Sequence, residues 1–313
     1  LTAADKALAG NAPAYHALME GRVEDAEELL NARLAVAPQD GTAHQLLCRV
    51  YYAQDEADPA IHQCELAAAA EPGNSDHHLW LGRAYGMKAR HAGPFTGFTL
   101  ARKVNASFAE AVRLNPANVA AIGDLGEYYI DAPSIVGGGL DKAEALAERA
   151  MPQFPAAAHR LLALIAQSNK DLTTAEAEFK LAVAAQRSPE AWIDLAHFYE
   201  RHNRPDEAVA AIKSGLAADR SLPADRTHGP VVVDAASILT AAHRSPDLAE
   251  RCLRDYLAGR AKSDGAPAFK VHLQLSQLLA ARGDSADANK EAATAAALAP
   301  AFTHGAARPA QGF

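Results

Sequence analysis

Residues 191–220, AWIDLAHFYERHNRPDEAVAAIKSGLAADR, read as two short helices joined by a tight turn, and such a hairpin cannot stand alone. Trp192, Leu195, Ala196 and Tyr199 share one face of the first helix. The run Asn203–Pro205 breaks that pattern. Pro205 suits the first turn of a new helix, where a missing N–H costs nothing. Ala208, Ile212 and Gly215 then mark the inner face of the second helix. Two such helices are too small to bury their own apolar faces, so the chain must supply neighbours.

It supplies copies. The landmarks are a large residue, Leu, a small residue and an aromatic on helix A, then small, large apolar, small and Pro on helix B, with a period of about 34 residues. Repeat one runs from about Ala7 to Asp40, with Leu18, Gly21, Ala26, Leu30 and Pro38. Repeat two carries Leu47, Cys48 and Tyr51, then Ala60, Cys64, Ala67 and Pro72. Repeat three opens with LWLGRAYG (79–86) and is interrupted by an insertion at 91–100 before Val104, Phe108, Ala111 and Pro116. Repeat four has Leu125, Gly126 and Tyr129, a second insertion at 131–139, then Ala143, Ala147 and Pro155. Repeat five, about 156–188, is weaker, and repeat six is the hairpin above. A linker, 221–229, leads to repeats seven and eight across 230–300, with repeat seven reaching about 263 and a tail at 301–313. Small residues recur where helices meet most closely, at Gly82, Gly126, Ala163 and Ala196.

On these residues the chain resembles the tetratricopeptide repeat family over nearly its whole length. The resemblance implies an all-α fold, a right-handed α-solenoid of about eight repeats, whose role is binding another protein rather than catalysis. LWLGRAYG and DAPSIVGGG (131–139) are also similar to segments of bacterial exported tetratricopeptide proteins.

Charge and motif content narrow the function further. The 313 residues carry a net charge of −8, which argues against nucleic acid as a main partner. No apolar run is long enough to span a bilayer. The first residue is Leu, which fits a processed or trimmed chain with an export signal removed. No nucleophile elbow, catalytic triad signature or dinucleotide fingerprint is present. Gly137–Gly139 precede a helix, but the Walker ending is missing and Asp141 would repel phosphate, so the triplet reads as a tight turn. Neither an enzyme nor a cofactor is expected.

Thirteen histidines raise the question of a metal. His197 and His202 are five apart, not the three or four that share a helix face. His44, His78, His159 and His272 recur at one repeat slot, which reads as packing between repeats and not as ligation. No metal site is expected.

The cysteines are more informative. Positions facing each other in an antiparallel hairpin share a constant index sum, and Cys48 and Cys64 come close to satisfying the sum set by the turn at Asp55–Glu56. They either form a disulfide or fill two core slots as thiols. A disulfide would place the chain in the periplasm or outside the cell; free thiols would place it in the cytoplasm. Cys252 has no evident partner.

Two surfaces are candidates for binding. Repeat phase lines the concave groove with Arg49, Tyr52, Arg83, Glu127, Arg160, His197 and Glu200. The insertions fall at equivalent turns of consecutive repeats and carry Phe95, Phe98, Ile135 and Val136, expected as partner-binding loops. The expected function is a scaffold for protein–protein interaction in an exported bacterial assembly. The alternatives are a solute-uptake accessory protein with a small ligand in the superhelical channel, and a structural subunit peripherally associated with a membrane or surface complex.

Overall fold

The structure, a computed structural model, describes residues 3–223 and 225–305. Among them the regular elements are all helical and come in pairs. Helices α1 (Ala3–Met19) and α2 (Val23–Val36) form the first pair, α3 (Gly41–Ala53) and α4 (Ala57–Ala70) the second, and α5 (Ser75–Ala89) and α6 (Pro94–Leu114) the third. The fourth is α7 (Val119–Asp131) and α8 (Leu140–Ala150), separated by a 3-10 turn, Ser134–Val136. Then come α9 (Pro155–Ser168) with α10 (Leu172–Ala185), α11 (Pro189–Arg201) with α12 (Pro205–Arg220), and α13 (Pro230–Ala241) with α14 (Pro246–Ala258). The last pair is α15 (Ala268–Ala281) and α16 (Ser285–Leu298), followed by α17 (Pro300–Gly305).

Local sequence sets these boundaries. Asp40, Asn118 and Ser188 cap α3, α7 and α11 by accepting from the backbone N–H groups of Ala43, Ala121 and Ala191, each cap worth about 1 kcal/mol. Proline stands in the first turn of α6, α9, α11, α12, α13 and α14. Packing within pairs needs small residues. A Cβ on Gly82 would lie 2.4 Å from the Phe108 ring of α6. Gly126 meets Leu161 of α9 instead, so its close approach is to the next repeat and not to its own helix B.

Four sequence expectations change. The insertion at 91–100 is mostly not a loop: 94–100 are the first two turns of α6, because Pro94 starts the helix and nothing after it stops it. Phe95 and Phe98 therefore sit on a helix. The tail begins with a helix, α17, whose Phe302 ring packs 4.9 Å from that of Phe269; residues 306–313 lie outside the described residues. Repeat seven ends at Ala258, and 259–267 form a second long connection. The recurrent histidines do not only join adjacent repeats. His44 Nε2 and His78 Nε2 meet the Pro38 and Pro72 carbonyls of the preceding repeat at 3.0 and 2.9 Å, but His44 Nδ1 also donates to Gln63 Oε1 at 2.7 Å, and His159 Nδ1 and His272 Nδ1 meet Glu178 and Glu291 at 2.7 and 2.6 Å, within their own repeats.

The superhelix closes on itself. Phe269, Ala295 and Ala299 of the last repeat are fully buried in one core cluster with Ala17, Leu18, Leu30 and Leu46 of the first two. Gly21, at the turn between α1 and α2, has φ +78°, and a Cβ there would come within 2.8 Å of the Ala268 nitrogen. Only glycine serves both that backbone conformation and that approach. Lys270 pairs with Asp55 at 2.9 Å, and the Ala301 N–H donates to Glu24 at 3.0 Å. The result is a ring, with the A helices on its inner wall.

Candidate functional site

Several helix-A positions of successive repeats carry charged residues toward the inside of the ring. They include Arg49, Arg83, Glu127, Arg160, Asp194 and Asp234. Most of these side chains are tied to one another or to neighbours. Arg160 meets Glu127 at 2.7 Å on one side and Asp194 at 3.0 Å on the other, so three repeats are joined by one guanidinium. Burial alone would lower the Arg160 pKa, but Asp194 and Glu127 outweigh it and the group stays charged. Arg83 pairs with Asp124 of the next repeat at 2.6 Å.

Arg49 reaches across the seam to Asp264 in the 259–267 connection, at 2.6 Å. The indole of Trp80 lies between the two arginines, 5.1 Å from Arg49 Cζ and 4.9 Å from Arg83 Cζ, and Tyr52 meets it edge-on at 5.5 Å. Cation–π contacts of this kind add about 0.5–2 kcal/mol each. The positive part of the wall is thus braced and internally neutralised. The groove residues Arg49, Tyr52, Arg83, Glu127 and Arg160 belong to this network. His197 lies on the same wall and is held neutral at pH 7, chiefly by burial and then by Arg201. Glu200 is half-buried beside it.

Beyond Arg160 the wall turns acidic. Asp234 touches water yet is walled by protein, and burial together with Asp194 and Glu190 pushes its carboxyl up to about 6. Among the described residues no cation stands within ion-pair distance of it. Asp131 is raised as well, by burial first and then Glu127.

The outer edge is different. Phe95 is 92% exposed, Phe98 40% and Ile135 75%. Val136 is buried, and its carbonyl accepts from the Tyr128 hydroxyl at 2.8 Å, so it supports the turn and is not part of the exposed edge. The turn is tight: a Cβ on Gly138 would fall 1.8 Å from the Ala132 carbonyl oxygen. Elsewhere a cleft of about 730 Å³ opens at the 221–229 linker, lined by residues of mixed charge including Arg187, Glu190, Asp225 and Arg226.

In repeat two Cys48 and Cys64 stand at disulfide distance, with Cα atoms 5.3 Å apart. Cys252 is a buried free thiol, and burial pushes it up to about 11, which keeps it unreactive.

Repeat phase alone did not single out Trp80, Asp124, Asp194 or Asp264. Asp194 was within reach, because it stands two residues before Ala196 as Asp124 stands two before Gly126. Asp264 lies in a connection with no periodicity, so nothing in the sequence aims it at Arg49.

The family model described as tetratricopeptide repeat matches residues 17–84, from α1 into α5. The chain carries tetratricopeptide repeats. Its fold is similar to the crystal structure of the yeast Tom70, at a TM-score of 0.55 and 15% identity over 90% of this chain and 56% of that one. It also matches a thermophilic tetratricopeptide-repeat protein of Thermus thermophilus, at TM-score 0.47 and 22% identity over 75% of this chain and 98% of that one. A tetratricopeptide-repeat protein of Parabacteroides merdae gives TM-score 0.47 and 14% identity, over 88% and 98% of the two chains. No curated protein matches the sequence. Among the described residues of this tetratricopeptide-repeat ring, no helix is long and apolar enough to cross a membrane.

Proposed function

We propose that this chain is a non-enzymatic scaffold of an exported bacterial assembly, and that it holds a basic segment of a protein partner against the acidic part of its inner wall. Asp234 carries the proposal. It is an ionisable carboxyl facing the ring interior, short of a cation and crowded by other acids. A Lys or Arg from a partner would relieve that crowding, whereas the cationic slots are already filled by Asp124, Asp194 and Asp264. Asp194 and Glu190 are the acids that crowd it on this surface. Export is supported by the Cys48–Cys64 pair, since disulfides persist in oxidising compartments.

Purification of the native complex with wild type and with Asp234→Arg tests the binding site. The partner should be lost from the variant; equal recovery from both removes the proposal. Alkylation before and after reduction, on protein from its own compartment, tests export. Free thiols at Cys48 and Cys64 would return the chain to the cytoplasm. The solute-binding alternative, with a small ligand in the superhelical channel, requires a small molecule retained in native mass spectra of the purified chain.

A further inference from the structure

The segment between Asp76 and Glu110 contains no acidic residue but, besides the inner-wall Arg83, does contain Lys88, Arg90, Arg102 and Lys103, in a chain whose net charge is −8. Total charge conceals this basic patch. It surrounds the two extra turns of α6, where the exposed apolar side chains lie. Phe95, Phe98 and Arg102 share one face of the helix, at spacings of three and four. The 3-10 turn packs onto the same stripe further along: the Tyr128 hydroxyl lies between the Ala101 and Val136 carbonyl oxygens, 2.8 Å from each, and Asn105 closes on Gly137. Phe98 and Phe95 continue that stripe beyond the end of the turn, with Ile135 exposed next to it. The apolar tips therefore project into solvent.

The surrounding lysines have partners that are themselves exposed or part-exposed. Lys88 pairs with Asp58, Lys103 lies 3.8 Å from Glu65, and Lys142 donates to the Gly137 carbonyl at 2.8 Å beside the exposed Asp141. Arg102 is exposed on the same face as the two phenylalanines.

We propose that this edge docks the ring peripherally on an anionic membrane surface. Phe95, Phe98 and Ile135 would enter the headgroup–acyl boundary, while Arg102 and the neighbouring basic residues meet lipid phosphates. The chemistry is that of interfacial anchors, which join a few apolar side chains to flanking cations. A protein groove would have to shape itself around three separated tips. A nucleic acid would leave Phe95 and Ile135 without a partner. The proposal goes beyond the scaffold reading and does not depend on Asp234, which lies on the inner wall.

Flotation with phosphatidylcholine vesicles, with and without phosphatidylglycerol, tests it using the full chain. Wild type should float with the anionic vesicles and not with the neutral ones. The double variant Phe95→Ser/Phe98→Ser and the single variant Arg102→Glu should each lower the bound fraction, the double variant by roughly tenfold. Unchanged thermal melting shows that the variants are folded, as expected for exposed side chains. Wild type that stays unbound, or variants that float like wild type, would overturn the proposal. So would a photo-crosslinker at position 95 that captures a discrete protein and no lipid in cells; a lipid adduct there supports it.

Discussion

In repeat six, α11 and α12 meet a few residues apart in the chain, through Ala196, Ala208 and Ile212, all fully buried. At the seam, Phe269 is buried to the same degree but against Leu18 and Leu46, and the ion pair beside it joins residues 215 positions apart. The side chains are of the same kind in both places. What differs is how each finds its partner. Repeat six is assembled by local contacts that a period can announce. The seam forms only after every intervening repeat has added its own small rotation, and a linear solenoid, in which each repeat touches only its neighbours, has no such contact. Stability here is therefore not a simple sum of adjacent terms.

Four measurements test that contrast. Phe269→Ala should cost about 3–5 kcal/mol, the range for truncating a buried aromatic. It should also open the ring, seen as a larger radius of gyration in small-angle scattering. An unchanged radius would mean that the seam is not what holds the ring closed. Reduction of Cys48–Cys64, which closes a loop with a sequence separation of 16, should cost about 2–4 kcal/mol. That loss should appear as lower melting temperature with the ring still closed, because the bond lies within one repeat. Ala196→Leu should cost about 1–3 kcal/mol by overpacking, with hydrogen exchange rising in α11 and α12 and not at the seam.

The smallest effect concerns pH. Asp234 has a folded pKa of about 6, above its ordinary value of 3.8, so its ionisation disfavours the folded state and stability falls as pH rises through that window. Asp234→Asn should raise the melting temperature at pH 7, by less than about 1 kcal/mol equivalent because the group is exposed to water. The gain should disappear near pH 4, where Asp234 is already neutral. A gain that persists at low pH would show that charge is not its cause.

Much of the fold was legible because its signals are local. Pro205, Ala196 and Tyr199 announce a hairpin wherever they occur together. Cys48 and Cys64 could be matched by counting from a turn between them. The candidate sites were less legible. Arg160 could be placed on the inner wall from its phase, but not the fact that Asp194 and Glu127 occupy it from both sides. Phe95 could be identified as an insertion, but its helical state could not, because an extended helix and a loop of the same length both satisfy a repeat count. Val136 looked like its neighbour Ile135 in the sequence and proved to be on the buried side of the turn.

The sequence by itself determined the helical hairpins, their number and the small residues between them, since these depend on side-chain size, helix periodicity and turn chemistry over a few tens of residues. Only the tertiary structure decided that the last repeat meets the first, that Asp264 answers Arg49, and that Phe95 and Phe98 stand on a helix while Val136 turns inward. The first two outcomes depend on the accumulated angles between repeats, to which each junction contributes slightly and which no single stretch of sequence encodes.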